Sequence, residues 1–365
     1  MIHVSAPGKL MIAGEWAVLE PGNPAIVAAV NKRVHCKILE SKRIEIELKD
    51  FSIRSSSVFK NNNLEFTTKL TEEEKKKSIF TKTAIETTLR YLGKHKSFKI
   101  ITWGENTTIK GKKIGFGSSA AATVAIIASL FAFNNHDIKS RKGKDLIYKL
   151  AAISHYNAQG KTGSSFDIAA STYGGIFSYI RFDPVWLEEK IKENKIQDIM
   201  KKDWPGFHIE ELGTPEDLSL IVVWTGKESN TREMIRKMND FLKRNPVEYC
   251  TIYDKIANNV YEIIDAWNEE DKDRIIGLLR KNALILRELT NKSKINIETI
   301  ELRKIGEISE KYGGAGKLSG AGGGDCGIVV CFNTRIMKKI TEALKKEGLE
   351  IIDVKIEKEG VKIER

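Results

Sequence analysis

Residues 113–134, KIGFGSSAAATVAIIASLFAFN, place two glycines and two serines directly before an alanine-rich run. The first N–H groups of a helix have no partner within the helix and lie at the positive end of its dipole, so a helix that begins here can bind a phosphate. Gly115 and Gly117 remove side chains that would keep a ligand away from the backbone. Ser118 and Ser119 supply hydroxyls for phosphate oxygens or a bound Mg²⁺. The alternative interpretation of so short a motif is an ordinary Gly/Ser helix cap.

The length and composition are those of an ordinary globular chain. Its 365 residues have room for about two domains, and no window approaches the run of apolar residues that a membrane span needs. The N-terminus lacks the basic and apolar regions of a signal peptide, so we expect a cytoplasmic protein. Four cysteines without a CxxC pair and six scattered histidines predict reduced thiols and no protein-ligated transition metal.

The formal net charge of +11 is compatible with nucleic acid, a membrane surface or a polyanionic small substrate as partner. The basic residues are interleaved with glutamates, as in EEEKKKS at 72–78, and such runs are typical of solvated helix faces. We therefore expect a small-molecule substrate, with neither a nucleic-acid nor a membrane partner, and a monomer or a homodimer.

The order of the elements predicts an α+β fold. Helices are expected from Thr71 to Gly93, after the Gly/Ser turn, and over about 144–158, and several more over 229–312. Strands are expected at 2–6, 9–13, 25–30, 34–39, 44–48, 98–102, 176–182 and 218–224, with a final strand, helix and strand after the glycine-rich turn at 313–324. The predicted parts are residues 1–183, a junction with a helix at 184–216, and residues 217–365.

Two common phosphate-binding motifs are excluded by their context. The chain has no GxxxxGK[ST] sequence, so it lacks the P-loop of that kind. GFGSSA fits the dinucleotide pattern GxGxxA, with Asp137 roughly 20 residues further on. However, no strand runs directly into Gly115, and Asp137 follows a helix instead of a second strand. The later match, at Gly322, Gly324 and Gly327, precedes a strand and also fails.

Three glycine-bearing segments stand at the beginning, middle and end of the chain: APGKLMIAGEWAVL at 6–19, IGFGSSAA at 114–121 and LSGAGGGDCGIVV at 318–330. Together, and in this order, they resemble the three motifs of the GHMP family of small-molecule kinases, and the resemblance spans almost the whole chain. It implies an N-terminal ATP-binding domain of ribosomal-protein-S5-like topology and a C-terminal ferredoxin-like domain. ATP and its acceptor would bind between them, with Mg²⁺.

The resemblance also implies roles for particular residues. Lys9 would place a cation beside the transferred phosphoryl group, and Asp167 would lie beside the acceptor. Ser119 would reach Mg²⁺. The residues implied in ATP binding are Gly115, Phe116, Gly117, Ser118, Ser119 and Ala120, and those implied in substrate binding are Ser319, Gly320, Ala321, Gly322 and Lys227.

The segments GSSFDIAASTYGGIFSY at 163–179 and VVWTGKESNT at 222–231 resemble the branch of the family that phosphorylates mevalonate 5-phosphate in isoprenoid biosynthesis. Relatives often carry Ser-Gly-Trp before the aspartate where this chain has Ser164, Ser165 and Phe166. Mevalonate, mevalonate 3-phosphate or a similar small alcohol therefore stays open as the acceptor, and a catalytically silent binding protein is the remaining alternative.

The chemistry of the acceptor decides what Asp167 has to do. An alcohol needs a general base, whereas a phosphate monoester, with a second pKa of about 6, is largely ionised at neutral pH. For a phosphate acceptor we expect Asp167 to orient Lys9 or the acceptor. Arg141 is a further candidate cation for the substrate's charge, and His155 is expected to be packed or capping instead of catalytic.

Overall fold

The computed structural model describes residues 1–105, 108–109, 112–160, 162–193 and 195–364. Its strands are β1 (Ile2–Ala13), β2 (Pro24–Glu40), β3 (Ile44–Leu48), β4 (Ile53–Lys60), β5 (Asn63–Phe66), β6 (Phe98–Gly104), β7 (Thr108–Ile109), β8 (Lys112–Lys113), β9 (Ile176–Ile180), β10 (His208–Leu212), β11 (Ser219–Trp224), β12 (Ala315–Leu318), β13 (Cys326–Cys331), β14 (Glu350–Ile352) and β15 (Lys362–Ile363). Its helices are α1 (Glu72–Leu92), α2 (Ser118–Phe133), α3 (Arg141–Ala158), α4 (Phe166–Tyr173), α5 (Pro184–Glu193), α6 (Ile196–Lys201), α7 (Thr231–Arg244), α8 (Pro246–Asn268), α9 (Lys272–Ser293), α10 (Ile300–Lys311) and α11 (Thr334–Lys346). The expected α+β class is confirmed.

Two larger sheets organise the chain. The first has nine strands in the order β10-β9-β2-β6-β3-β4-β5, and β1 pairs with both β2 and β15. Its pairs are antiparallel except β3 with β6. The second has the antiparallel order β12-β13-β11-β14. The two sheets are mostly antiparallel, and strands and helices do not alternate regularly along the chain. This is the arrangement of an α+β fold.

Strands β1 and β2 are each continuous where the sequence predicted two short strands. The predicted strands at 2–6 and 9–13 are both part of β1, and those at 25–30 and 34–39 are both part of β2. Pro7 interrupts the pattern of β1, but the pairing with β2 absorbs it through a shift of register between Pro7 and Gly8. A β-bulge of this kind keeps a strand continuous while it changes direction. Strand β1 therefore continues past the Gly/Ser turn before α2, where Lys9 donates its backbone N–H to Phe116 O at 2.9 Å.

Helix α1 begins and ends where the sequence predicted. The Thr71 side chain accepts from the backbone N–H of Glu74, and the Glu74 carboxylate accepts from the N–H of Thr71, so the two form a capping box. Gly93 follows the last residue with a positive φ. These local signals do not depend on the rest of the fold, and the sequence alone located them.

Helix α2 lies at the centre of the first part of the chain. It contacts β1, β2, α1, α3 and α4, and most of its residues are buried on every side. Its composition is apolar all round, which is the pattern of a buried helix. Its N-terminal end, at Ser118 and Ser119, reaches a cleft.

Segments from outside residues 1–183 also join the larger sheet. Strand β10, from the expected junction, pairs with β9, and β15, near the C-terminus, pairs with β1. The buried guanidinium of Arg33 donates to Glu359 O and Gly360 O and forms an ion pair with Glu357. The C-terminal segment therefore returns from the second sheet to the first, and the expected division into parts stays a prediction.

None of the helices within the described ranges has both the length and the apolar character that crossing a membrane would require.

Candidate active site

A cleft of about 680 Å³ opens at the N-terminal end of α2. Its walls come from β1, the turn before α2, the segment before α4, the start of α7 and the loop between β12 and β13. All three glycine-bearing segments of the sequence contribute residues to it. The prediction that distant parts of the chain converge on one place is confirmed by this geometry.

The two glycines of the turn are needed because other groups lie against their backbone. Gly117, the residue before α2, has φ +74°, and a Cβ there would lie 3.1 Å from Cγ of Lys9. Gly115 has φ +92°, and a Cβ there would lie 2.9 Å from Cβ of Asp325. Both conformations favour glycine, and both positions leave no room for a side chain. The amides of the turn are accordingly left accessible at the cleft.

Lys9 and Asp167 lie on two sides of the tip of α2. The Lys9 ammonium donates to Gly115 O at 2.9 Å and lies 5.4 Å from the centre of the Phe166 ring. Asp167 is in the first turn of α4, where its Oδ1 accepts from the N–H of Ile168 at 3.0 Å. A Cβ on Gly117 would be 3.6 Å from Cβ of Asp167. The structure thus brings together a cation, a helix N-terminus and a carboxylate from three separate parts of the chain, at Lys9, Ser118 and Asp167.

The two serines of the turn differ in their surroundings. Ser118 and Ser119 both line the cleft, and the Ser119 hydroxyl lies 3.1 Å from Nε2 of His155. Burial lowers the pKa of His155, against the opposing effect of Asp167, so this imidazole is neutral at pH 7. His155 is packed, as expected, and in addition it contacts the serine that was assigned to Mg²⁺. Ala120 lies behind the tip, fully buried.

The loop between β12 and β13 carries four of the five residues that the resemblance implied in substrate binding. Ser319, Gly320 and Ala321 line the cleft, but the Ser319 hydroxyl accepts from Met11 N and donates to Met11 O, both at 2.9 Å. Gly322 lies outside the described lining. A Cβ there would be 2.2 Å from Ile297 O, so this glycine allows close backbone packing.

The structure does not bring Lys227 into the described lining of the cleft. Its ammonium donates to Glu301 at 2.8 Å and its side chain is 63% exposed. This contact lowers the pKa of Glu301 to about 2. Arg141 is also elsewhere, because it pairs with Asp145. Lys227 O instead accepts from the N–H of Asp325, so the segment contributes through its backbone.

Sequence analysis missed three charged residues of the cleft, Glu228, Arg232 and Asp325. Arg232 lies in the first turn of α7, next to Asn230 and Thr231, and all three line the cleft. Asp325 accepts from Ser229 N at 3.1 Å and from Ser229 Oγ at 2.9 Å. Asp325 stands inside the third glycine-bearing segment, and Arg232 directly follows the segment quoted for its resemblance. Their positions within or beside the quoted segments were therefore the only sequence signal that could have identified these residues as part of the cleft.

The oxygen atoms near the tip of α2 suit Mg²⁺ better than a transition metal. They are the hydroxyls of Ser118 and Ser119 and the carboxylate of Asp167, which are hard ligands. Within the described part of the chain, no group of three or more His, Cys, Asp and Glu residues is arranged to hold a metal ion. Mg²⁺ usually keeps several waters and binds through substrate phosphates with one or two protein ligands, so this sparse set fits it.

Two family models match the chain. The model described as "GHMP kinases N terminal domain" matches residues 79–175, and the one described as "GHMP kinases C terminal" matches residues 263–350. The first match contains the turn at Gly115, α2 and Asp167. The second contains Ser319, Gly320 and Asp325.

Several named proteins and solved structures are similar to this chain over nearly its full length. A phosphomevalonate kinase from Saccharolobus solfataricus is 31% identical over 100% of this chain and 99% of its own length. A phosphomevalonate kinase from Streptomyces sp. (strain CL190) is 29% identical over 89% of this chain and 88% of its own. Among solved structures, the Lin0012 protein from Listeria innocua superposes with a TM-score of 0.90 at 31% identity, covering 100% of this chain and 99% of that one.

Proposed function

Because this chain belongs to the GHMP kinase family, we propose that it transfers the γ-phosphoryl group of ATP to mevalonate 5-phosphate, which yields mevalonate 5-diphosphate and ADP in isoprenoid biosynthesis. The names of the two full-length relatives support the acceptor. The observation that carries the proposal is that two helix N-termini, those of α2 and α7, line one cleft, with Lys9 beside the first and Arg232 at the second. The N-terminus of α2 can bind the ATP phosphates and the N-terminus of α7 the phosphate of the acceptor, so the cleft suits an acceptor that is itself phosphorylated.

The turn before α2 is the proposed site of the ATP phosphates. Its accessible amides and the dipole of α2 attract negative charge, and the glycines allow the phosphates to approach the backbone. The Lys9 ammonium, held by Gly115 O, adds a full positive charge at the same place. Phosphoryl transfer requires mainly positioning and neutralisation of charge, and these residues supply both.

Ser119 is the residue that would hold Mg²⁺ on the nucleotide, while Asp167 orients Lys9 or the acceptor. When bound, the ion neutralises part of the charge that develops on the phosphates. The Ser119 hydroxyl lies 3.1 Å from Nε2 of the buried His155, and this contact restricts the orientation of the serine side chain.

The start of α7 is the proposed site of the acceptor's phosphate. Arg232 can donate two hydrogen bonds to a phosphate, and the Thr231 hydroxyl adds a further donor at the N-terminus of α7. Asp325 fixes this segment, since its carboxylate holds Ser229 by two hydrogen bonds. Trp16, Val18 and Leu19 give the cleft an apolar wall for the carbon chain of the acceptor.

We place this reaction in the cytoplasm, with a small-molecule substrate and without a nucleic-acid or membrane partner, in a monomer or a homodimer. The mixed charge of the surface supports this choice, because exposed lysines such as Lys75, Lys77, Lys237 and Lys281 pair with nearby carboxylates.

The test is a panel of acceptors with ATP and Mg²⁺, with ADP release as the measurement. We expect turnover with mevalonate 5-phosphate and little with mevalonate, mevalonate 3-phosphate or homoserine. Lys9→Met serves as the inactive control, with an expected loss of about 100- to 1000-fold, the usual effect of removing one electrostatic contact from a transition state. Turnover confined to a free alcohol would move the assignment to another acceptor, and its absence with every acceptor would favour a binding protein.

A further inference from the structure

A lysine and a glutamate form an ion pair in the interior, apart from the residues that line the cleft. Lys317, in β12, and Glu15, after β1, are 3% and 0% exposed, and the Lys317 ammonium donates to Glu15 Oε1. It also donates to Ile12 O at 3.1 Å and to Leu318 O at 2.9 Å. Its three N–H groups therefore have three acceptors, two of which belong to the distant segment 12–15.

Stability alone does not explain this pair. The removal of two charges from water costs much of what their attraction returns, and apolar residues of similar size often serve a protein equally well. Burial raises the pKa of Glu15, while Lys317 and the backbone amide of Gly320 oppose the rise. Burial likewise lowers the pKa of Lys317. The pair stays charged only in this one geometry, so it specifies how the two segments meet.

Each member of the pair is next to a wall of the cleft. Glu15 precedes Trp16, a cleft residue with φ +68°, which is an unfavourable conformation for a residue other than glycine. Lys317 precedes the loop that carries Gly320 and Ala321, also in the cleft. The Ser319 hydroxyl, between them, bridges both backbone groups of Met11. The end of β12 is thus fixed to the end of β1 at two positions, Lys317 and Ser319, which flank Leu318.

We propose that the Lys317–Glu15 pair is a positioning device, which holds Trp16 and the loop at Gly320 and Ala321 as two preformed walls of the acceptor side of the cleft. The assignment of this side to the acceptor rests on the proposed function. The turn before α2 also contacts Lys9 and, at the far end of the same loop, Asp325, so we expect the pair to act more on the acceptor side than on the nucleotide side.

The test is the double variant Glu15→Gln/Lys317→Met, which removes both charges and leaves neither one unpaired. Arg280→Met is the matched control. The Arg280 guanidinium donates twice to Gly314 O, directly before β12, so this variant loosens the other end of the same strand away from the cleft. The measurements are KM for mevalonate 5-phosphate, KM for ATP, the melting temperature, and hydrogen exchange of the Gly320 and Ala321 amides without ligand.

For the double variant we expect KM for the acceptor to rise at least about tenfold, since small displacements of positioning groups are costly, while KM for ATP changes less than about twofold. Exchange at Gly320 and Ala321 should become at least about tenfold faster in the double variant and stay unchanged in Arg280→Met. If the single variant Lys317→Met fails to fold, the double variant remains the test.

Unchanged exchange at the loop, or an acceptor KM equal to that of the native chain, overturns this inference. Hydrogen exchange needs no substrate, so it decides about the positioning role even if the native protein proves inactive on mevalonate 5-phosphate. Inactivity of the native protein would instead count against the proposed function.

Discussion

At the scale of single residues, the two basic side chains of the segment 227–232 differ in what they contact. The Lys227 ammonium is held by Glu301 near the surface, whereas Arg232 lines the cleft in the first turn of α7. Only five positions separate them. Their charges are equal, so their effects on an anionic acceptor should depend on position alone.

We predict that Arg232→Met raises KM for mevalonate 5-phosphate by roughly 10- to 100-fold, because a hydrogen bond to a charged group contributes about 1.5–3 kcal/mol. Lys227→Met is the control and should change KM by less than about twofold. Steady-state kinetics with both variants, at saturating ATP, measure this. A larger effect of Lys227→Met would return the acceptor's phosphate to the residue that the sequence indicated.

Asp167 gives a second prediction at this scale. Asp167→Asn should reduce kcat with mevalonate 5-phosphate by about tenfold or less at pH 7.5, because the acceptor oxygen is already ionised and needs no general base. The measurement is ADP release, with circular dichroism to verify the fold. A loss as large as that of Lys9→Met would show that the carboxylate has a more direct part in the transfer.

At the scale of elements, the N-terminus of α2 depends on a glycine for two separate reasons. Gly117 has a positive φ, and its missing side chain leaves room for Lys9. Gly22, in the turn between β1 and β2, has φ +89° but nothing within 4 Å of a Cβ. A comparison of the two separates backbone strain from loss of the phosphate site.

We predict that Gly117→Ala and Gly22→Ala each lower the free energy of unfolding by about 1–2 kcal/mol, the cost of a left-handed conformation for alanine. Only Gly117→Ala should also raise KM for ATP, by about tenfold or more, since the new methyl group displaces Lys9. Urea denaturation and steady-state kinetics test the two parts. Equal KM values for ATP in both variants would contradict the assigned role of the turn.

At the scale of the whole molecule, the C-terminal segment joins the two sheets. After β14 the chain returns to the larger sheet, where Glu357 N–H donates to Ala29 O and β15 pairs with β1. The Arg33 guanidinium, 6% exposed, holds this segment through Glu359 O, Gly360 O and the Glu357 carboxylate. One buried cation therefore fixes the last part of the chain to β2.

We predict that Arg33→Met lowers the free energy of unfolding by about 3–5 kcal/mol, because it leaves a partly buried carboxylate and two carbonyls without their donor. Arg43→Met is the control. Arg43 is 69% exposed and pairs only with Glu45 across the described contacts, so its loss should cost about 1 kcal/mol or less. Urea denaturation of both variants measures the difference, and equal effects would show that the C-terminal segment is held by other contacts.

The sequence determined the features that depend on neighbours along the chain. The capping box of α1, the glycine turn before α2 and the apolar composition of α2 follow from local hydrogen bonding and side-chain pattern. The order of three glycine-bearing segments was enough to indicate the family, and Lys9 and Asp167 could be selected by their place in the resembling motifs.

Only the tertiary structure decided which polar groups meet across large distances in sequence. It brought Arg232 to the cleft and Lys227 to Glu301, used the Ser319 hydroxyl for Met11, and added β10 and β15 to the larger sheet. Such contacts are fixed by how whole elements pack, because a side chain's local sequence sets its chemistry but not its partner.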